Sequence, residues 1–211
     1  MNVGPMTAEI TIINIGTLSM NKYWGETQRM RHPSATCTLI ETRDARLLVD
    51  PSPEPEPLEK LLYANRGFRP RDIDMIFVTH FHGDHRFGLE LFADKPLLMA
   101  AAGLAEWKAA SPDEGAISGR FVDAEGRLPE GIDLIPTPGH TRAHHSIGVT
   151  TTQGRVTVAG DAVMTRDFFN AEDGFHNSAD FAQVAATIRF IKSRADLVVP
   201  GHGNLFPIPR P

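Results

Sequence analysis

The segment Thr79-His80-Phe81-His82-Gly83-Asp84-His85 sets three imidazoles and a carboxylate within six residues, directly behind the apolar run Ile76-Phe77-Val78. Imidazole and carboxylate are the donors that hold zinc and related divalent ions, so this strand has to end where such donors converge. On extended backbone His80 and His82 project to one side. Gly83 frees the chain to turn, so that Asp84 and His85 face a neighbouring position. Further donors follow at loop positions: His140 in Pro138-Gly139-His140-Thr141, Asp161 after Gly160, and His202 in Pro200-Gly201-His202-Gly203. Asp161 has two oxygens and can bridge two ions, with His140 completing one shell and His202 the other. A structural zinc is normally closed by four protein ligands, whereas seven shared between two ions leave open positions for chemistry. The expected cofactor is two Zn2+ per chain, with Fe or Mn as alternative occupants. The expected activity is metal-dependent hydrolysis.

The whole chain narrows the partners. Its 211 residues suit one large domain or two small ones with a substantial core, and the continuous pattern is read as a single domain over 1–211. A net charge of −5 and the lack of a Lys/Arg run argue against a nucleic-acid partner. Cys37 is the only cysteine, which excludes disulfide frameworks and Cys-rich zinc sites and fits a small buried thiol. Met1 to Glu9 carry neither a basic stretch nor an apolar core of a leader, and no apolar run approaches about 18 residues. A cytoplasmic protein without a membrane partner is expected.

Periodicity places the donors at element ends. Glu9–Ile15 reads as a strand; Thr36–Thr42 and Ala45–Asp50 read as a hairpin turning at Arg43-Asp44. The long segment 16–35 between them carries Met20, Tyr23, Trp24 and Met30, candidates to line a substrate pocket or to form a homodimer contact. The Pro-rich stretch 51–57 is read as a rigid loop opening a helix over 58–65, ended by Gly67. A buried strand over 74–79, a helix over 85–92, a strand over 97–100 and a helix over 104–110 are expected next. Residues 111–130 are turn-rich and receive no assignment. Strands follow at Ile132–Pro136, His145–Thr151, Arg155–Ala159 and Leu197–Val199. A helix over 179–192, capped by Asn177 or Ser178, turns Phe181, Val184, Ala185, Ile188 and Ile191 inward. Strand ends thus deliver the donors to one edge of two sheets sandwiched between helical layers.

In order and spacing, His80-x-His82-x-Asp84-His85, His140, Asp161 and His202 resemble the metal motif of the metallo-β-lactamase superfamily. The resemblance runs from about Ile10 to His202. It implies an α+β fold, the four-layer αββα sandwich. It also implies His80, His82 and His140 on one zinc, Asp84, His85 and His202 on the other, and Asp161 between them. Asp50, after Leu47-Leu48-Val49, resembles the family's early structural Asp. His144, in Pro138 through Ser146, resembles its histidine behind the ligands, with a hydrogen-bonding role near the metals. A hydroxide bridging the two zincs would attack a carbonyl or phosphoryl centre. Asp84 and Asp161 are the expected catalytic carboxylates, Asp84 as proton shuttle.

Within the superfamily, the lack of Cys at position 161 argues against true β-lactamase activity, and His82 in place of Glu argues against the flavodiiron branch. Gly160-Asp161-Ala162-Val163-Met164-Thr165 and the long early loop are similar to compact lactonase-like members. Those lactonases typically place a Tyr where Met164 stands, and Met offers no hydrogen-bond donor. Tyr23 is the candidate substitute, and Tyr23, Trp24, Met164 and His176 are the expected substrate-pocket residues. The favoured reading is hydrolysis of a small-molecule ester, lactone or thioester. The alternatives are phosphodiester hydrolysis, a mononuclear-iron persulfide dioxygenase using His80, His140 and Asp161, and a noncatalytic metal-binding scaffold.

Overall fold

Alternation of apolar side chains along the strands sends neighbouring residues into different interiors. The computed structural model describes residues 7–209. Met1 to Met6, most of the segment read for a leader, lie outside the described residues.

The first sheet has six strands in chain order: β1 (Glu9–Asn14), β2 (Cys37–Glu41), β3 (Arg46–Val49), β4 (Met75–Phe77), β5 (Leu97–Met99) and β6 (Phe121–Asp123). β1–β2–β3 are antiparallel, and β3 through β6 run parallel. The second sheet is ordered β11-β10-β9-β8-β7, with β7 (Ile132–Pro136), β8 (His145–Thr151), β9 (Gly154–Gly160), β10 (Leu197–Pro200) and β11 (Phe206–Pro207). Its β9 and β10 are parallel and the remaining pairs antiparallel.

On the outer face of the first sheet, Leu39, Leu48, Ile76 and Leu97 pack with Leu58 and Leu62 of α1 (Pro55–Arg66) and with Leu104 and Trp107 of α2 (Ala101–Ala110). A short helix, α3 (Gly115–Ser118), follows α2. The inner face presents Ile40, Leu47, Val49, Phe77 and Leu98 to Ile147, Val149, Val156, Val158 and Val199 of the second sheet. Beyond the second sheet, Ala159 and Val198 pack with Phe169 of α4 (Arg166–Ala171) and with Val184, Ile188 and Ile191 of α5 (Phe181–Arg194). Three apolar layers therefore separate helix, sheet, sheet and helix, the expected αββα order.

Several expectations need correction. α1 starts at Pro55 rather than Leu58, because proline has no amide to lose in the first helical turn. No continuous helix spans 85–92; 3-10 turns at Gly83–His85 and Leu89–Phe92 stand there instead. Gly88 breaks the run: its amide donates to the Pro51 carbonyl at 2.9 Å, and a Cβ would meet Leu58 Cδ2 at 2.4 Å. α5 is capped by Asp180, which accepts from the Gln183 amide at 2.9 Å. Ser178 Oγ instead lies 3.4 Å from His140 Nδ1, and Asn177 borders the cleft that holds His140. Phe181 is 47% exposed, so the inward face of α5 begins at Val184. Residues 111–130 hold β6, and 166–171 form α4. No helix among the described residues is long and apolar enough to cross a membrane.

Candidate metal centre

Each donor follows the carboxyl end of a strand, the side of such sheets where ligands bind. His80 comes two residues beyond the Val78 amide, which still donates to Leu98 at 3.0 Å. Asp84 and His85 are presented by the turn Gly83–His85. His140 follows Gly139, whose φ of +138° suits glycine and whose Cβ would fall 2.6 Å from the Val184 amide nitrogen. Asp161 follows Gly160 and β9; His202 follows Gly201 and β10.

The seven donors form two groups, His80, His82, His140 and Asp161 in one and Asp84, His85 and His202 in the other. In the first, His82 Nδ1 lies 2.9 Å from both His80 Nε2 and His140 Nε2. Asp161 Oδ2 lies 3.2 Å from His140 Nε2 and 3.8 Å from His80 Nε2. Its other oxygen, Oδ1, lies 3.1 Å from His85 Nε2 and 3.2 Å from His202 Nε2. Asp84 Oδ2 stands 3.6 Å from His202 Nε2. Ligands at zinc bond lengths of about 2.0–2.1 Å are about 3.3 Å apart in a tetrahedron, so these separations suit ions of that size.

Hydrogen bonds behind the rings settle which nitrogens point inward. His202 Nδ1 lies 3.0 Å from the Ser34 carbonyl and 3.2 Å from that of Thr17. Carbonyls only accept, so Nδ1 carries the proton and Nε2 turns toward Asp161. His85 Nδ1 lies 2.8 Å from Asp50 Oδ2 and its Nε2 likewise faces Asp161. Burial disfavours charge on His85, yet Asp161 and Asp50 outweigh it and raise the imidazole well above its ordinary range. Burial opposes charge on His202 too, and Asp161 again raises it. Asp161 feels burial upward and His85, His202 and His140 downward; the histidines win and hold it well below the carboxylate range. Burial keeps His80 and His82 low and His140 down to about 4, the neutral form a metal requires. The neutral rings of His80, His82 and His140 offer lone pairs beside a buried, ionised carboxylate, and a divalent cation can take the place of the protons that Asp161 favours on His85 and His202.

Residues 31–202 match the Metallo-beta-lactamase superfamily. The chain belongs to that family. It is 34% identical over 187 residues to human Metallo-beta-lactamase domain-containing protein 1, covering 83% of this chain and 65% of the human protein. Against the N-acyl homoserine lactonase of Bacillus cereus the identity is 24% over 202 residues, 79% of this chain and 80% of that enzyme. A Thermotoga maritima metallo-beta-lactamase fold superposes with a TM-score of 0.72 at 23% identity, covering 95% of this chain and 99% of that one. An N-acyl homoserine lactone hydrolase with N-hexanoyl-L-homoserine at its catalytic metal centre gives 0.65 at 22% identity, covering 89% and 88%.

In this metallo-β-lactamase fold a cleft of about 120 Å³ opens over the donors, with His82, Asp84, His140, Asp161 and His202 on its floor. Leu18, Met164 and Phe175 supply an apolar wall, and Ser19, Arg29 and Asn177 a polar one. Of the expected pocket residues only Met164 lines this cleft. Tyr23 packs edge-on against Phe168, and its hydroxyl donates to Asp173 at 2.7 Å. Trp24 is 60% exposed and donates to Asp167 at 3.0 Å. His176 stacks beside Phe175, with ring centroids 4.2 Å apart. Leu18, Ser19, Arg29 and Asn177 escaped the sequence reading. Two long loops meet to make this wall, and only their lengths were visible beforehand. His144 and Asp50 do stand behind the donors: His144 Nδ1 meets Thr137 Oγ1 at 2.9 Å, and its ring lies 5.1 Å from that of His80.

Proposed function

We propose that this chain is a binuclear zinc hydrolase acting on a small ester, lactone or thioester. The observation that carries the reading is Asp161, whose two oxygens face two separate donor groups at the floor of a cleft with an apolar wall. Zinc bound there would supply a hydroxide nucleophile near neutral pH and polarise the electrophilic carbonyl.

The protein's own groups have distinct tasks. His80, His82 and His140 are kept neutral by burial and hold their positions as donors. Asp84 has a 19% exposed side chain, against 4% for Asp161, so it alone of the two carboxylates reaches the solvent side of the cleft. In this reading it takes a proton at Oδ2 and passes it to the leaving group. Leu18, Met164 and Phe175 cover an acyl group and exclude water from it. Met164 has no donor for the substrate carbonyl, and the Tyr23 hydroxyl is engaged with Asp173. Carbonyl orientation therefore falls to Ser19 or Asn177.

The N-acyl homoserine lactonases among its relatives support carbonyl substrates, although the Met164 difference directs the search beyond that lactone. The test is metal analysis combined with a panel of esters, lactones, thioesters and bis-phosphodiesters. Two zinc ions per chain and carbonyl turnover are expected, with turnover falling about a hundredfold or more in Asp84→Asn. Cleavage of phosphodiesters alone overturns the substrate class. One iron and no hydrolysis overturns the reaction.

A further inference from the structure

We infer that Arg29 recognises a carboxylate at the far end of the substrate's acyl group, so that the preferred substrate is a short dicarboxylic half-ester or half-thioester. This deepens the hydrolase reading and rests on it. Loop 16–35 carries three Lys/Arg cations. Lys22 is paired with Asp173, and Arg31 is paired with Glu26 while lying over the Trp24 ring. Arg29, between them, makes no side-chain hydrogen bond or ion pair among the described residues, yet it lines the metal cleft.

Its backbone is held in place. The Met30 amide donates to the Ser19 carbonyl at 2.8 Å, and that of Arg31 to the same oxygen at 3.4 Å. Thr17 and Ser34 pair across the loop, with amide-to-carbonyl distances of 2.8 and 3.1 Å. The loop base thus rests against the His202 ring, whose Nδ1 contacts both Thr17 and Ser34 carbonyls. A guanidinium carried by that held backbone to the rim of a cleft, with its donors unspent among the described residues, presents a planar fork that matches a carboxylate in two parallel hydrogen bonds. Ser19 and Asn177 on the same wall add neutral donors. The cleft is about 120 Å³, below the roughly 300–1,000 Å³ of typical ligand pockets, which favours a short acyl chain. A short chain brings its far end to the rim while its reacting carbonyl is at the floor.

The test uses metal-loaded protein and a matched pair, a glutaric acid half-thioester ionised at about pH 7 and the same compound with that carboxylate methylated. The charged member is expected to be favoured in kcat/KM by about tenfold or more, chiefly through KM. Arg29→Gln should remove most of that preference, and Arg29→Lys should retain part of it. Equal preference in the parent protein and Arg29→Gln overturns the inference while the hydrolase reading stands. If neither compound is turned over, the hydrolase reading is left to the wider substrate panel, and calorimetric binding of the charged compound decides the role of Arg29. About tenfold weaker binding in Arg29→Gln upholds it; unchanged or absent binding overturns it.

Discussion

Asp50 binds His85 from behind: Oδ2 lies 2.8 Å from the imidazole Nδ1, on the far side of the ring from Asp161. The same carboxylate accepts from the Thr79 amide at 2.8 Å and from the Thr79 hydroxyl at 2.9 Å. One side chain at the end of β3 therefore fixes both the entry to the donor loop and the rotation of a donor within it. Asp50→Ala removes these acceptors from a buried site, leaving the Thr79 amide and the His85 proton unpaired. A loss of about 2–4 kcal/mol of stability is expected in denaturant titration, with about 10- to 100-fold weaker metal binding by competitive chelation. Unchanged affinity in a folded Asp50→Ala protein contradicts the orienting role.

Glu106 does comparable work for His140 from a different layer. On α2, its two oxygens accept from the amides of Arg142 and Ala143 at 2.9 and 2.8 Å. These amides come two and three residues after His140, so the carboxylate pins the loop that presents the ring. Glu106→Gln leaves one acceptor oxygen and Glu106→Ala none. Metal affinity should fall about tenfold in Glu106→Ala and less in Glu106→Gln, with fold stability down by about 1–2 kcal/mol. Elemental analysis after dialysis against a weak chelator separates the three proteins.

The donors were legible because their chemistry is local. His80, His82, Asp84 and His85 lie in one short run, and Gly139 and Gly201 flag the turns before His140 and His202. The apolar runs also mark β1 to β5 and β7 to β10, whereas the short edge strands β6 and β11 carry no such signal. Breaks and walls were harder to see. Gly88 interrupts the expected 85–92 helix because Pro51 and Leu58 crowd it, contacts made more than two dozen residues away in sequence. Asn177 and Ser178 look like helix caps on propensity alone. Ser178 Oγ instead meets His140 Nδ1 at 3.4 Å, and Asp180 takes the cap. Arg29 and Asn177 share a cleft wall only once residues 16–35 and 162–177 have folded over one another.

The acid side of the stability profile should carry the signature of Glu114. Its oxygens each lie 2.7 Å from Arg86 Nη2, and Oε2 also accepts from Trp107 Nε1 at 2.6 Å. Arg86 in turn donates from Nε to the Phe81 carbonyl at 2.9 Å, so this network braces the donor loop. The Arg86 hydrogen bond, against the opposing effect of burial, lowers the Glu114 carboxyl below its ordinary value. A carboxyl depressed on folding adds stability above its unfolded value and loses it as pH falls through the folded one. Stability should therefore drop below about pH 4.5, and Glu114→Gln should flatten that part of the profile while losing about 1 kcal/mol at neutral pH. Thermal melts of both proteins from acid to neutral pH provide the measurement. A parallel acid limb in the two removes Glu114 from the account.

Gly201 offers the sharpest geometric test of whether the Asp161 carboxylate bridges two ions. A Cβ built there would lie 2.1 Å from Asp161 Oδ1 and 2.9 Å from the Gly160 carbonyl carbon. The backbone cannot easily yield, since the Gly201 amide donates to Val163 at 2.9 Å and its carbonyl accepts from Thr36 at 2.7 Å. The carboxylate has to move instead, away from His85 and His202, which it meets at 3.1 and 3.2 Å. Gly201→Ala is therefore expected to weaken the second donor group first and to lower bound metal from two ions toward one. The fold should survive, at a cost of about 1–3 kcal/mol for the added methyl. Circular dichroism reports the fold and elemental analysis the metal. A folded Gly201→Ala protein that keeps two ions at parent affinity would mean that Asp161 Oδ1 is not a ligand.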